Sequence, residues 1–347
     1  MKLGIIGLAR AGKTTIFNAL TRRTGESVPS GGHAVPVMGV VSVADPRLDW
    51  LSRLYKPKKT THAQVTYLDL QGLPGAFESQ QEYMSLLLTH MRPVDAFLMV
   101  LRNFPDPSLG EPNVRRDFRE LEDEFLIADL GTAEKRLERI SVEEKKGKKG
   151  FAAEREVLES CLEVINSERP LRSKPELVAA PEIRGFTLLS AKPLLVIVNN
   201  FDEDDRLPDV DFDQAEAMVV RGKLEMEMAQ LPESEAAVFM EDFGLTESAL
   251  DRTIARSFKL LQRAVFFTVG DDEARAWTMP RNLPALEAAG TVHTDMQRGF
   301  IRAEVVAFED LRRAGDHASA RKQGLVRLEG KTYPVRDGDV IQFRFNV

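Results

Sequence analysis

Eight residues close to the N-terminus, Gly7-Leu8-Ala9-Arg10-Ala11-Gly12-Lys13-Thr14, obey the spacing G-x-x-x-x-G-K-[ST] without a mismatch. An apolar run at 3–6 precedes them, and Thr15-Ile16-Phe17-Asn18-Ala19-Leu20 reads as a continuing helix. A strand, a glycine turn and a helix start aim backbone N–H groups and the positive end of the helix dipole at one concavity. A chain that opens this way is predicted to be α/β, with a triphosphate at the turn. In that geometry Gly7 and Gly12 let the backbone approach closely, while Leu8, Ala9, Arg10, Ala11 and Thr15 complete the cradle. Lys13 reaches the β and γ phosphates, and the Thr14 hydroxyl is a ligand for Mg2+.

Further apolar runs of strand length occur at 37–43, 63–68, 96–101, 194–198 and 218–220. Several are nearly continuous, the pattern of strands buried on both faces of a mainly parallel sheet. The rhythm breaks between about 115 and 172. There Leu126, Leu130, Ala133, Leu137 and Ile140 keep a helical apolar spacing, which Leu158, Leu162 and Ile165 resume after a lysine and glycine turn. Two antiparallel helices inserted into the α/β domain are expected. From about 263 the texture changes to short strand candidates at 264–269, 299–305, 325–328 and 340–345, a small α+β domain. The expected division is a nucleotide domain at 1–114 and 173–262, a hairpin at 115–172 and a C-terminal domain at 263–347.

Two more pieces sit at strand ends. Asp69-Leu70-Gln71-Gly72 follows the run at 63–68, where Asp69 is placed to hold the metal's water shell and Gly72 to offer its N–H to a γ-phosphate. After 194–198 comes Asn199-Asn200-Phe201-Asp202-Glu203, where a guanine site would show N-K-x-D. Aligned on Asn200, the lysine position is Phe201 and the acid is Glu203, one methylene too long for the guanine edge. This reading disfavours guanine. Alternatively, the segment is an acidic surface loop.

Composition narrows the partners. With 47 basic and 54 acidic residues the net charge is −7, which excludes bulk attraction to DNA and leaves only local basic patches. One cysteine, Cys161, and five scattered histidines give neither a disulfide framework nor a Cys/His zinc cluster. The opening apolar run meets Gly7 too early for a signal peptide, and 347 residues bury a core without a membrane span, so a cytoplasmic protein is expected.

These residues resemble the YchF family, the Obg-like ATPases of the translation-factor class of P-loop NTPases. The likeness rests on the N-terminal loop, Asp45-Pro46-Arg47-Leu48, Asp69 to Leu73, Ala128-Asp129-Leu130 with Glu134-Lys135-Arg136-Leu137, and Asn200-x-x-Glu203. At the C-terminus it includes Arg275-Ala276-Trp277-Thr278, Gly290 to Asp295, Arg298 to Glu304, and Asp337 to Val340 with Phe343 to Val347. The resemblance implies a parallel-sheet P-loop NTPase interrupted by a helical hairpin and followed by a TGS domain of ubiquitin-like shape. It also implies slow Mg-dependent hydrolysis of ATP in preference to GTP, and association with ribosomes. Leu73 stands where many GTPases place a water-orienting glutamine.

Four departures fall near the chemistry. Arg10 replaces an asparagine that helps hold a monovalent cation; the guanidinium either takes the cation's place or points to solvent. The switch segment T-I-E-P-N reads His33-Ala34-Val35-Pro36-Val37, without its threonine. The stretch after Leu73 lacks its later glycines, and residues 103–113 lack the family's histidine. The resemblance therefore leaves a slow ATPase, a scaffold that binds nucleotide without efficient turnover, or a GTPase. Lys145, Lys146, Lys148 and Lys149 at the hairpin tip either touch phosphates of structured RNA or form a solvated turn. Trp277 and His293 read as structural members of the C-terminal domain.

Overall fold

The computed structural model describes residues 1–23, 35–71, 80–242 and 247–346. Gly72, Leu73 and His33, all singled out above, lie outside them. The chain divides into two compact units, Met1–Val40 with Thr66–Leu260, and Val41–Val65 with Leu261–Val347.

Strands are numbered along the chain: β1 Lys2–Ile6, β2 Val35–Val43, β3 Lys59–Thr61, β4 Ala63–Gln71, β5 Ala96–Asn103, β6 Leu194–Asn200 and β7 Glu216–Val220. The later ones are β8 Arg263–Val269, β9 Glu273–Pro280, β10 Phe300–Ala307, β11 Arg327–Glu329 and β12 Asp339–Phe345. The first sheet has the order β2-β4-β1-β5-β6-β7, and β4, β1, β5, β6 and β7 run parallel. β5 and β6 are buried almost throughout, which explains their uninterrupted apolar sequences. β1 lies between β4 and β5, so successive crossovers leave it in opposite directions. The carboxyl ends of such strands, at a switch of direction, form the ligand crevice of open α/β sheets.

The hairpin forms as expected, from helices Val114–Lys145 and Ala152–Asn166. Leu126, Ala133, Ile140, Leu158 and Ile165 are buried in one cluster, joined by the partly buried Leu130, Leu137 and Leu162. The foot of the long helix instead enters the sheet's core through Phe118, Leu121 and Phe125, with the Phe125 ring stacked on Phe97 at 4.9 Å. Asp129 makes the junction rigid, its carboxylate accepting from the N–H of Leu189 (2.8 Å) and from both the N–H and hydroxyl of Ser190 (2.7 Å each). Arg136 grips Glu154 with two bonds of 2.6 and 2.7 Å, fixing one helix against the other.

In the second unit the order is β11-β10-β12-β8-β9-β3. β8 and β9 form an antiparallel pair, β12 runs parallel to β8, and β10 runs antiparallel to β12. The helix Ala285–Val292 presents Ala285, Ala288 and Ala289 to a core holding Phe266 and Phe343. Trp277 stacks near Phe266 and donates its Nε1–H to Thr268 (2.9 Å), while His293 caps the helix Thr294–Arg298 by accepting from the Asp295 N–H. Both roles are structural.

One boundary differs from the sequence reading, which kept 1–114 together. Val41–Val65 packs with the C-terminal unit, for reasons visible in its side chains. Asp45 caps the helix Pro46–Tyr55 by accepting from Arg47 N–H, and that helix buries Leu48 and Leu51. Trp50 meets the Phe308 ring edge-on at 5.5 Å, Arg47 bonds Asp337 at 2.7 Å, and β3 adds itself in parallel to β9.

Candidate functional site

β1 ends at Ile6 and the chain turns at Gly7, whose φ of 155° and surroundings both exclude a side chain: a Cβ there would stand 2.4 Å from the Val100 carbonyl oxygen. Gly12 is equally constrained, with φ 92° and a Cβ position 2.2 Å from Asn199 Nδ2. Helix Lys13–Thr21 starts there with no side-chain cap, so the positive end of its dipole faces the turn. Ala11 is buried, Leu8, Thr14 and Thr15 are half-buried, and Ala9 and Arg10 are exposed on the loop's crown.

Lys13 is buried and its ammonium donates to the Leu8 carbonyl at 2.7 Å. Burial pulls its pKa down from the usual lysine range to about 8, against the opposing attraction of Asp69. Thr14 Oγ1 donates to Asp69 Oδ2 at 3.0 Å. The parallel register pairs Ile5 with Asp69, which delivers the fully buried carboxylate to the start of the loop. Loop, lysine, hydroxyl and acid thus lie together, the hydroxyl and the acid 55 residues apart in the chain. The hydroxyl and carboxylate are hard oxygen donors, the chemistry that suits a magnesium ion. Among the described residues no group of three or more His, Cys, Asp or Glu could hold a metal by itself.

At the end of β6 the arrangement departs from the sequence alignment. Asn200 does not face the phosphate loop: it accepts from Asn103 Nδ2 (2.9 Å) and donates to the carbonyls of Asp204 (3.0 Å) and Arg206 (2.9 Å). Asn199 does. Its Nδ2 donates to the Ala11 carbonyl at 3.0 Å, and its Oδ1 accepts from Gly222 N–H at 3.0 Å. Adjacent strand residues point to opposite faces, so only one asparagine can reach the loop. Glu203 and Phe201 are exposed. Asn199 was missed because two asparagines in a row give two possible registers; the hydrogen-bond partners of the two side chains settle between them.

Arg10 takes a third course. Left-handed at φ 61°, it sends its guanidinium to the loop after β5, pairing with Asp106 at 3.0 Å and with Ser108. Among the described residues no helix is long and apolar enough to cross a membrane.

A family model described as YchF-GTPase_C, a protein of unknown function, matches residues 264–346. The chain is 38% identical over 361 residues to the ribosome-binding ATPase YchF of Bacillus subtilis, covering 99% of each protein. It is 33% identical to the Obg-like ATPase 1 of Caenorhabditis elegans, covering 100% of this chain and 92% of that one. The solved structure of the Schizosaccharomyces pombe YchF GTPase superposes with a TM-score of 0.82 at 26% identity, covering 99% of this chain and 97% of that one. On likeness along essentially its whole length, the chain belongs to the YchF family.

Proposed function

We propose that this chain is a P-loop nucleoside triphosphatase of low intrinsic turnover that acts on the ribosome. The observation that carries the reading is the convergence of Lys13, Thr14 and Asp69 on the glycine loop. Lys13 and the first-turn amides would hold the β and γ phosphates, and the Thr14 hydroxyl and, through water, Asp69 would hold Mg2+. Bound there, the ion would neutralise charge developing on the phosphoryl oxygens during attack by water. Gly72, outside the described residues, would offer its N–H to the γ-phosphate. Leu73 at the water-orienting position gives no hydrogen bond, which supports slow hydrolysis.

The printed names of the relatives support ATP and a ribosomal partner; the fission yeast name carries GTP. The exposed lysines of the hairpin tip and the C-terminal unit supply the contact surfaces in this reading. The strand order of that unit, with β8 and β12 parallel at the centre, supports a TGS domain. A ribosomal partner implies a cytoplasmic site of action. Phosphate release by the purified protein with Mg2+, measured with and without ribosomes, tests the reading. Turnover above background, lost in Lys13→Ala, is expected; tight nucleotide binding with no turnover even on ribosomes would favour a scaffold instead.

A further inference from the structure

The loop that follows β5 is built around one aspartate. Asp106 Oδ1 accepts from the N–H and the hydroxyl of Ser108, at 2.8 and 2.7 Å. The Asp106 carbonyl accepts from the N–H of Leu109 (3.1 Å) and of Gly110 (2.9 Å). Behind them the buried guanidinium of Arg102 donates to the carbonyls of Phe104 (2.8 Å) and Gly110 (3.0 Å). Asp106 is thus fixed in place. Its Oδ2 pairs with Arg10 at 3.0 Å, and the Ser108 hydroxyl accepts a second bond from the same guanidinium. The partners are unequal: the Asp106 side chain is 10% exposed, whereas that of Arg10, on the crown of the phosphate loop, is 58% exposed. An ion pair so open to water contributes little, and Arg10 can leave it readily.

Arg10 is the one charged side chain besides Lys13 in the loop Gly7–Thr14, and it stands left-handed at φ 61° although it carries a Cβ. Such backbone is uncommon outside glycine and clusters at ligand clamps. The Lys13 ammonium lies on the Leu8 carbonyl at 2.7 Å, so the lysine tip that meets the end of a phosphate chain sits over the same half of the loop as Arg10. We propose that Arg10 is a γ-phosphate contact: on binding, its guanidinium exchanges Asp106 and Ser108 for the terminal phosphoryl group of a triphosphate. The inference rests on the nucleotide-binding reading above. A guanidinium offers a planar fork of donors that matches phosphate oxygens, and a terminal phosphate carries more negative charge than one carboxylate. The loop amides hold a diphosphate as well as a triphosphate. Arg10 tells the two apart.

The test is equilibrium titration of the full-length protein with ATP and with ADP, each with Mg2+. Arg10→Ala is expected to weaken ATP by about tenfold or more, the loss of a charged hydrogen bond, and ADP by less than about threefold. Retained ADP binding also shows that the variant is folded. Asp106→Asn removes the charge that competes for Arg10 and should tighten ATP by about threefold, a gain that disappears when Arg10→Ala is added. Arg10→Ala leaving ATP unchanged, or weakening ATP and ADP alike, would overturn the proposal with the phosphate site intact. An Asp106→Asn gain that persists without Arg10, or no gain at all, would do the same. Parent protein binding neither nucleotide would instead sink the nucleotide-binding reading itself.

Discussion

Thr14 Oγ1 stands 3.0 Å from Asp69 Oδ2, and this bond joins the first turn of the phosphate helix to the end of the neighbouring parallel strand. Removing the carboxylate should therefore act on the metal more than on the nucleotide. Asp69→Asn is expected to lower apparent Mg2+ affinity, in the presence of nucleotide, by about 10–100-fold. Binding of nucleotide without metal should change little. A titration of Mg2+ at fixed nucleotide reads both.

Lys13 gives a pH dependence of defined sign. Its pKa of about 8 in the free protein comes from burial, opposed by Asp69, and docking of a triphosphate would restore the proton's hold. Below about 8 the ammonium is charged before and after binding, so affinity is flat. Above it, binding must take up a proton, and affinity falls by up to about tenfold per pH unit. Binding curves between pH 7 and 10 check this; an affinity unchanged from 8 to 9 would contradict it.

Asn199 makes two bonds inside the protein, to Ala11 and Gly222. Asn199→Ala should leave the Ala11 carbonyl and Gly222 amide short of a partner, costing about 1–3 kcal/mol of stability. The loop would also lose its brace, so nucleotide affinity should fall even where the variant is fully folded, as seen by comparing melting with binding at low temperature.

In the second unit, Glu304 is buried between Arg321 and Arg344, with His317 Nε2 at 3.6 Å. Burial alone would raise its pKa, but the bonds and charges of the two arginines outweigh it and hold the carboxyl below the ordinary glutamate range. Its contribution is thus present above the unfolded glutamate pKa and is lost as pH falls through the lowered native value. Glu304→Gln should destabilise the protein at pH 7 by about 1–3 kcal/mol. The deficit should shrink in acid, which chemical denaturation at pH 7 and pH 4 would measure.

The parts legible from sequence were those with a strong local signal. The glycine loop has fixed spacing, β5 and β6 are apolar runs, and the hairpin's leucines repeat at helical intervals; each formed where it was expected. Two strands of the second sheet were illegible. β9, Glu-Ala-Arg-Ala-Trp-Thr-Met-Pro, turns mostly small residues inward, and β3 has no apolar residue at all. β3 is a strand because β9 offers it an edge, a tertiary fact that no local pattern carries. The same holds for residues 41–65, whose affiliation with the C-terminal unit depends on Arg47 and Trp50 meeting Asp337 and Phe308 nearly 260 residues or more away. At the site, motif spacing singled out Lys13, Thr14 and Asp69, but the asparagine register stayed open until side-chain direction closed it.

The most direct test is calorimetric titration of the purified chain with Mg2+ and ATP or GTP, beside Lys13→Ala. Saturable binding of one nucleotide per chain, abolished by the substitution, is the predicted result. Absence of binding by the parent, or undiminished affinity in the Lys13 variant, would contradict the assignment of the loop as a triphosphate site.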